Sequence, residues 1–393
     1  MFNGVYMAIN PIHKKAVMSR LPDRNIYSTR WLQVIDLSSE RALGSLATTR
    51  KVIDCDGITV MLGRWKQGTS DAADLLGKQL GRPVVRPVPA LFGREVNQAV
   101  ERSDQFRAHK PIVLLDNLAL YEVETRNQTA ARELAQNIVN DTKAEGLIID
   151  MVSEMLYPSL LTLEIAKLIK TKSQDGVVAL GIEAEQEINR VWDSLTFGSE
   201  KTIGFFGGKR LTGPGGSFEL LKMMLPRVKQ ALIDGSMLYP FLAASPRIFT
   251  DRDPLAGKRG PGELEAEIAA ARLLLKDHGD KFVFPPCAFG TGDDWIGLAL
   301  SEIRSEGVMV AFVKGSFDLV EGEKKTTEVV LEHLSRLAGR GKKIMSFGPE
   351  IRFALARRPE MEKFFTFTSK IVIQELLSRQ TLPGIEMLSE GLL

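Results

Sequence analysis

Asp294 and Glu302 stand eight positions apart, separated by the seven residues Trp295-Ile296-Gly297-Leu298-Ala299-Leu300-Ser301, and the turn Lys314-Gly315-Ser316 follows them. On a helix, eight positions amount to about 800°, so the second carboxylate lies roughly 80° round from the first and about 12 Å along. Acids so placed cannot share a proton or a metal ion. They suit the two ends of one extended ligand at a helix N-terminus, whose free amides and positive dipole end favour phosphate. A nucleotide diphosphate sugar is such a ligand. Upstream, the apolar run 202–206 leads into Gly207-Gly208-Lys209-Arg210 and then Gly213-Pro214-Gly215-Gly216. A diphosphate leaving group needs its developing charge met by fixed cations or dipoles, which Lys209 and Arg210 can supply.

The run D-D-W-I-G-L-A-L-S-E-I-R-S-E-G-V-M-V-A-F-V-K-G-S-F-D-L-V-E-G resembles the signature of the retaining GT-B glycosyltransferases. That signature is a Glu, seven residues and a second Glu, in a context like E-G-F-G-L-x-L-x-E-A-M-A-x-G-x-P-V-V-A. The resemblance implies that Glu302 holds the ribose of a donor nucleotide and that Asp294 takes the first Glu's place against the transferred sugar. It also puts the amides of Ile296, Gly297 and Leu298 near the phosphates. The stretch K-T-I-G-F-F-G-G-K-R-L-T-G-P-G-G-S-F-E-L-L resembles the same family's G-R-L-x-x-x-K-G-x-x-x-L turn. Arg210 falls on its phosphate-binding Arg and Gly208 lies in the turn. Gly215 replaces the family's Lys, for which Lys209 can substitute. Residues 144–154 and 177–183 resemble its hinge, while residues 1 to about 105 carry none of its motifs.

What the resemblance implies is a retaining transfer from a nucleotide diphosphate sugar, a UDP-sugar foremost, to an acceptor hydroxyl, with no metal required. The implied fold is α/β of the GT-B type, two Rossmann-like domains whose parallel sheets face each other across a cleft. In the N-terminal domain the family often has a His near the sugar, and His13, in Asn10-Pro11-Ile12-His13-Lys14-Lys15, is placed to contribute it. Asp116 stands where the family often has His-Asp; it orients the acceptor hydroxyl or caps a turn.

Positioning these residues requires strands and covering helices in alternation. Short apolar runs at 4–10, 31–37, 57–62, 83–88, 111–116, 146–151, 177–181, 202–206, 239–244, 281–284 and 308–313 predict strands. Amphipathic stretches at 70–80, 123–144, 155–169, 217–233, 262–278 and 295–305 predict helices between them. The alternation is that of parallel βαβ units. A chain of 393 residues exceeds what one core accommodates. The expected division is an acceptor-side domain at 1–176, a linker at 177–200, a donor-nucleotide domain at 201–365 and a terminal helix at 366–393 able to cross back to the first domain.

Composition narrows the class further. No run of about 18 apolar residues is present, so membrane insertion is not expected. No secretory signal opens the chain, and its two cysteines, Cys55 and Cys287, are too few for a disulfide framework or a zinc site, so a cytoplasmic location is expected. Residues 1–66 hold ten Lys or Arg against five Asp or Glu, a balance that suits a polyanion. A hydroxylated base in DNA is therefore the first acceptor to consider, with a glycan, a metabolite or a lipid as alternatives. A non-catalytic module binding nucleotide sugar or nucleic acid is the non-enzyme alternative. Asp251-Arg252-Asp253, in the connection 245–261, is the only candidate D-x-D dyad for a metal and reads as a loop feature.

Overall fold

The computed structural model describes residues 10–36, 46–64, 69–85, 90–109, 111–121, 127–172, 176–245, 258–284, 294–317 and 325–389. The chain divides into two compact units, one of Met1–Asn189 with Arg379–Leu393 and one of Arg190–Ser378. Each is built on a six-stranded parallel sheet, the α/β class that the alternation predicts.

The first sheet comprises β1 (Arg30–Asp36), β2 (Ile58–Arg64), β3 (Val84–Val85), β4 (Ile112–Asn117), β5 (Gly146–Asp150) and β6 (Val177–Leu180), in the order β3-β4-β2-β1-β5-β6. Its central strands are apolar on both faces because helices cover both: Leu32, Val60, Val113 and Leu147 are buried on one face, and Trp31, Met61, Leu114 and Ile148 on the other. Residues 4–9 of the run predicted as a strand at 4–10 lie outside the described residues, as do Cys287 and the 251–253 dyad.

The second sheet comprises β7 (Thr202–Phe206), β8 (Gln230–Ile233), β9 (Phe282–Val283), β10 (Val310–Lys314), β11 (Lys343–Phe347) and β12 (Phe365–Thr368), in the order β12-β11-β10-β7-β8-β9. Counted from β7 this is the doubly wound order 3-2-1-4-5-6.

Three local expectations are corrected here. The stretch 217–233 is not one helix: the helix Phe218–Met224 gives way at Pro226 to a short 3-10 turn, and Gln230–Ile233 becomes β8. Proline cannot continue the helical ladder, and Ala231, Leu232 and Ile233 are fully buried between strands. The stretch 239–244 is a helix, Leu238–Ala244, burying Leu238, Phe241 and Leu242 at helical spacing, with Pro240 in the first turn where its missing N–H costs nothing. Residues 365–368 open no helix but form the edge strand β12, its alternate burial showing a period of two.

Candidate functional site

In a doubly wound sheet the crossovers reverse direction at one point, and the carboxyl ends of the strands there leave a crevice for ligands. In the second sheet that point lies between β7 and β10. Their turns and that of β8 are stitched together: Gly207 N–H donates to Lys314 O at 2.7 Å, Asp234 N–H to Phe206 O at 3.0 Å and Met237 N–H to Gly208 O at 3.0 Å. The approach demands glycine. A Cβ on Gly207 would lie 2.2 Å from Ser316 O, and one on Gly315 (φ +88°) 2.0 Å from Gly207 O. Bare backbone of this kind is what lets phosphate groups come close to main-chain amides.

Lys314 ends β10 and is 6% exposed. Its Nζ donates to Ser217 Oγ at 2.9 Å and sits over Gly208, whose Cβ would be 3.2 Å from it. Burial holds the amine below its ordinary pKa; Glu350 opposes that shift and Lys370 adds to it. Lys370 Nζ donates to Gly216 O at 2.8 Å. Two ammonium groups that disfavour each other, one of them desolvated, are stabilised by an incoming anion. Glu350 Oε2 is buried without a hydrogen-bond donor.

The loop leaving β7 is held from outside by the helix Glu263–His278. Arg210, expected on phosphate, forms an ion pair with Glu263 at 2.5 Å and donates from Nη2 to Lys258 O at 2.9 Å. Glu267 Oε1 accepts from the amides of Leu211 at 2.9 Å and Thr212 at 3.4 Å. Its Oε2 accepts from Arg259 Nε at 3.0 Å. Lys209 is exposed, and Gly208 lines the turn beside Lys314.

Asp294 and Glu302 are the first and last residues of a nine-residue helix. Its buried side is Ile296, Ala299 and Leu300, packed in the core of the unit, while Gly297 and Leu298 face outward. Glu302 is exposed, and its carbonyl accepts from the side chain of Gln230, the first residue of β8, at 3.2 Å. Glu302 therefore lies at the amino-terminal edge of the sheet, and the glycine turns are at the carboxyl edge. The structure joins Gly208 to Lys314, which sequence reasoning did not single out as a site residue, and does not bring Glu302 to them.

In the first unit, His13 lies in an exposed turn whose carbonyl accepts from Arg20 Nη1 at 2.8 Å. Asp116, next to last in β4, accepts from Asn117 N–H at 2.8 Å and Tyr121 OH at 3.2 Å at the strand's carboxyl end. The switch point of this sheet falls between β1 and β5, and there a pair of acids meets, Asp150 and Glu183, which the sequence did not single out. Asp150 accepts from Ala184 N–H at 3.1 Å and Gln33 Nε2 at 3.4 Å. Glu183 accepts from Ala47 N–H, and from Thr48 Oγ1 at 2.6 Å. Desolvation, then the neighbouring Glu183, push the Asp150 carboxyl well above the usual range. Burial acts against ionised Glu183 too, but hydrogen bonds from Asp150, Thr48 and backbone amides outweigh it and lower its pKa. A cavity of about 330 Å³ at the opposite, amino-terminal edge, between Ile58 and Pro111, gathers no comparable set of charges.

The folds and sites define a two-unit α/β protein with a cationic, glycine-lined switch point in its second sheet. Known proteins of this kind match it. The chain is 28% identical over 279 residues to phosphoglycerate kinase of Campylobacter concisus (strain 13826), covering 67% of this chain and 62% of that one. It is 25% identical over 264 residues to phosphoglycerate kinase of Lactobacillus johnsonii, covering 62% and 59%. The match spans about six-tenths of the length of these relatives. Among solved structures, phosphoglycerate kinase from Coxiella burnetii superposes with a TM-score of 0.69 at 15% identity, over 95% of this chain and 98% of that one. That from Pyrococcus horikoshii OT3 gives 0.64, also at 15%, over 94% and 98%. No family model matches.

These findings overturn the glycosyltransferase expectation, with its nucleotide-sugar donor, its DNA, glycan, metabolite or lipid acceptor and its non-catalytic alternative, because the relatives are kinases. The carboxylate spacing that suggested a donor-sugar motif belongs to an amphipathic helix with an acid at each end. The expectation that no metal is required goes with it, since phosphoryl transfer from nucleotides relies on metal ions bridging the phosphates. No helix among the described residues is long and apolar enough to cross a membrane.

Proposed function

We propose that this chain transfers a phosphoryl group between a nucleotide and a small acceptor, with the nucleotide's phosphates held at the switch point of the second sheet. The observation that carries the reading is Lys314, a desolvated amine set directly over glycine backbone between β7 and β10. The names of the matched relatives agree with that chemistry.

In phosphoryl transfer the protein mainly positions the groups and stabilises the charge that shifts between attacking and leaving oxygens. Lys314 and Lys370 provide fixed positive charge for the terminal phosphates. The turns at Gly207 and Gly315 let backbone amides approach. A divalent cation, when bound, neutralises charge on the phosphates; such an ion typically takes only one or two protein carboxylates beside phosphate oxygens and water. Glu350, whose Oε2 lacks a donor, is the carboxylate beside Lys314 that would hold it.

Calorimetric titration with ADP and ATP in the presence of magnesium tests the site. Binding that weakens about tenfold or more in Lys314→Met supports the reading, in line with the ~1.5–3 kcal/mol of a charge-assisted hydrogen bond. Absence of binding by any nucleoside di- or triphosphate overturns it. An ATP-consumption assay over a panel of acceptors, led by phosphoglycerate, then identifies what is phosphorylated.

A further inference from the structure

The loop between Gly208 and Ser217 is gripped by two carboxylates one turn apart on the helix Glu263–His278, and they grip it differently. Glu267 and Arg259 are almost wholly buried, with side chains 2% and 5% exposed and 2.8 Å apart. Both oxygens of Glu267 are engaged, one by the amides of Leu211 and Thr212 and one by Arg259. Opening that contact would strand a charge away from water, so it is permanent. Glu263 and Arg210 are side by side with side chains 42% and 31% exposed. Glu263 also accepts from Gly260 N–H at 2.7 Å, and this bond, followed by Arg210, holds its carboxyl below the usual range. Both partners can be rehydrated as they separate, so this contact can exchange.

Arg210 is two residues from Gly208, a backbone span of at most about 7 Å, and Gly208 lines the turn under Lys314. An arginine side chain released from Glu263 covers that distance. A phosphate carries more charge than a carboxylate and offers the same bidentate geometry, which a guanidinium fork matches.

We propose that Glu263 is a resident internal anion, occupying Arg210 until a phosphate-bearing ligand at the second sheet's switch point takes the guanidinium over. The inference rests on the nucleotide-phosphate reading above and adds to it the residue that competes with the ligand. Glu267 keeps the loop in place during the exchange, so Arg210 moves as a side chain on a fixed backbone. Binding at this site therefore includes the cost of breaking one exposed ion pair and the hydrogen bond from Arg210 Nη2 to Lys258 O.

The test is calorimetric titration of the full chain with ADP and with inorganic pyrophosphate at fixed pH and ionic strength, comparing wild type, Glu263→Gln, Arg210→Met and the double variant. Thermal unfolding establishes that each is folded. Removing the internal competitor tightens binding of both ligands by about two- to fivefold, the equivalent of one exposed ion pair. Arg210→Met weakens binding, and in that background Glu263→Gln brings no gain. The proposal is overturned if wild type binds and Glu263→Gln binds no more tightly, or if the gain persists without Arg210; either result leaves the nucleotide reading standing. No binding by any of the four proteins overturns that reading and the exchange with it.

Discussion

Asp150 and Glu183 meet at the point where the crossovers of the first sheet reverse, and burial there, with the neighbouring Glu183, holds the Asp150 carboxyl well above the usual range. Glu183 in turn accepts from the amides of Ala47 and Thr48, so the pair ties β5 to the start of the helix Ala47–Asp54. The raised pKa of Asp150 has a defined sign in stability. Below the ordinary carboxylate pKa the group is protonated whether the chain is folded or not, and its contribution is fully present. As pH rises towards the folded pKa, the unfolded chain ionises and the folded one does not, and the contribution is lost.

Asp150→Asn keeps a donor towards Glu183 and an acceptor for Ala184 N–H while removing that titration. The variant's melting temperature relative to wild type is therefore expected to rise from pH 4 to pH 8. A difference that stays flat across this range would show that Asp150 titrates normally.

Gly315 and Gly215 both have positive φ, +88° and +76°, yet alanine should act differently at each. At Gly215 no atom lies within 4 Å of the new methyl group, so only the backbone preference is lost, about 1 kcal/mol. At Gly315 the methyl would sit 2.0 Å from Gly207 O, and backbone must move, which adds about 1–3 kcal/mol. Chemical denaturation of Gly315→Ala and Gly215→Ala measures the contrast, and equal losses would show that the turns of β7 and β10 are not in close apposition.

Such contacts mark where the sequence stops being legible. Strand and helix periods come from nearest-neighbour spacing, so β1 to β7, β9 and β10 are readable, and with them the α/β class. β8 is hidden because Ser217 to Ile233 is apolar at both periods until Pro226 intervenes. The site is harder still. Lys314 reads as an ordinary lysine after a strand, and only the fold carries it over Gly208 and against Ser217. Asp150 and Glu183 are thirty-three positions apart, and nothing local announces that they meet. Gly207-Gly208 was legible because backbone approach requires a residue type, whereas the carboxylate spacing of Asp294 and Glu302 misled because many amphipathic helices carry acids at that interval.

Glu267→Gln tests the permanence of the inner clamp. Glutamine cannot replace the carboxylate in either orientation: its NH2 group meets the guanidinium of Arg259 in one and the amide of Leu211 in the other. Leaving Arg259 buried without the counter-charge of Glu267 costs about 3–5 kcal/mol, far more than the loss of an exposed, solvent-screened pair such as that of Glu263. Denaturation monitored on both variants should show that ordering. A Glu267→Gln protein as stable as Glu263→Gln would mean that water reaches Arg259.

Lys314→Met separates stability from binding. The amine is depressed in pKa chiefly by burial, so the folded state resists its charge while the unfolded chain accepts it. Stability of the free protein should accordingly rise as pH climbs through the folded pKa towards the ordinary lysine value, the unfolded state binding the extra proton over that interval. Methionine fills the same space without charge, and at neutral pH the free variant should be the more stable protein by on the order of 1 kcal/mol. Its stability should also lose this rise at alkaline pH. ADP with magnesium should raise the melting temperature of wild type and leave that of Lys314→Met nearly unchanged, because the ligand's phosphates add counter-charge to a buried ammonium that Glu350 offsets only in part. A variant less stable than wild type at neutral pH, yet equally stabilised by ADP, would mean that Lys314 is a structural amine and that the phosphates bind elsewhere.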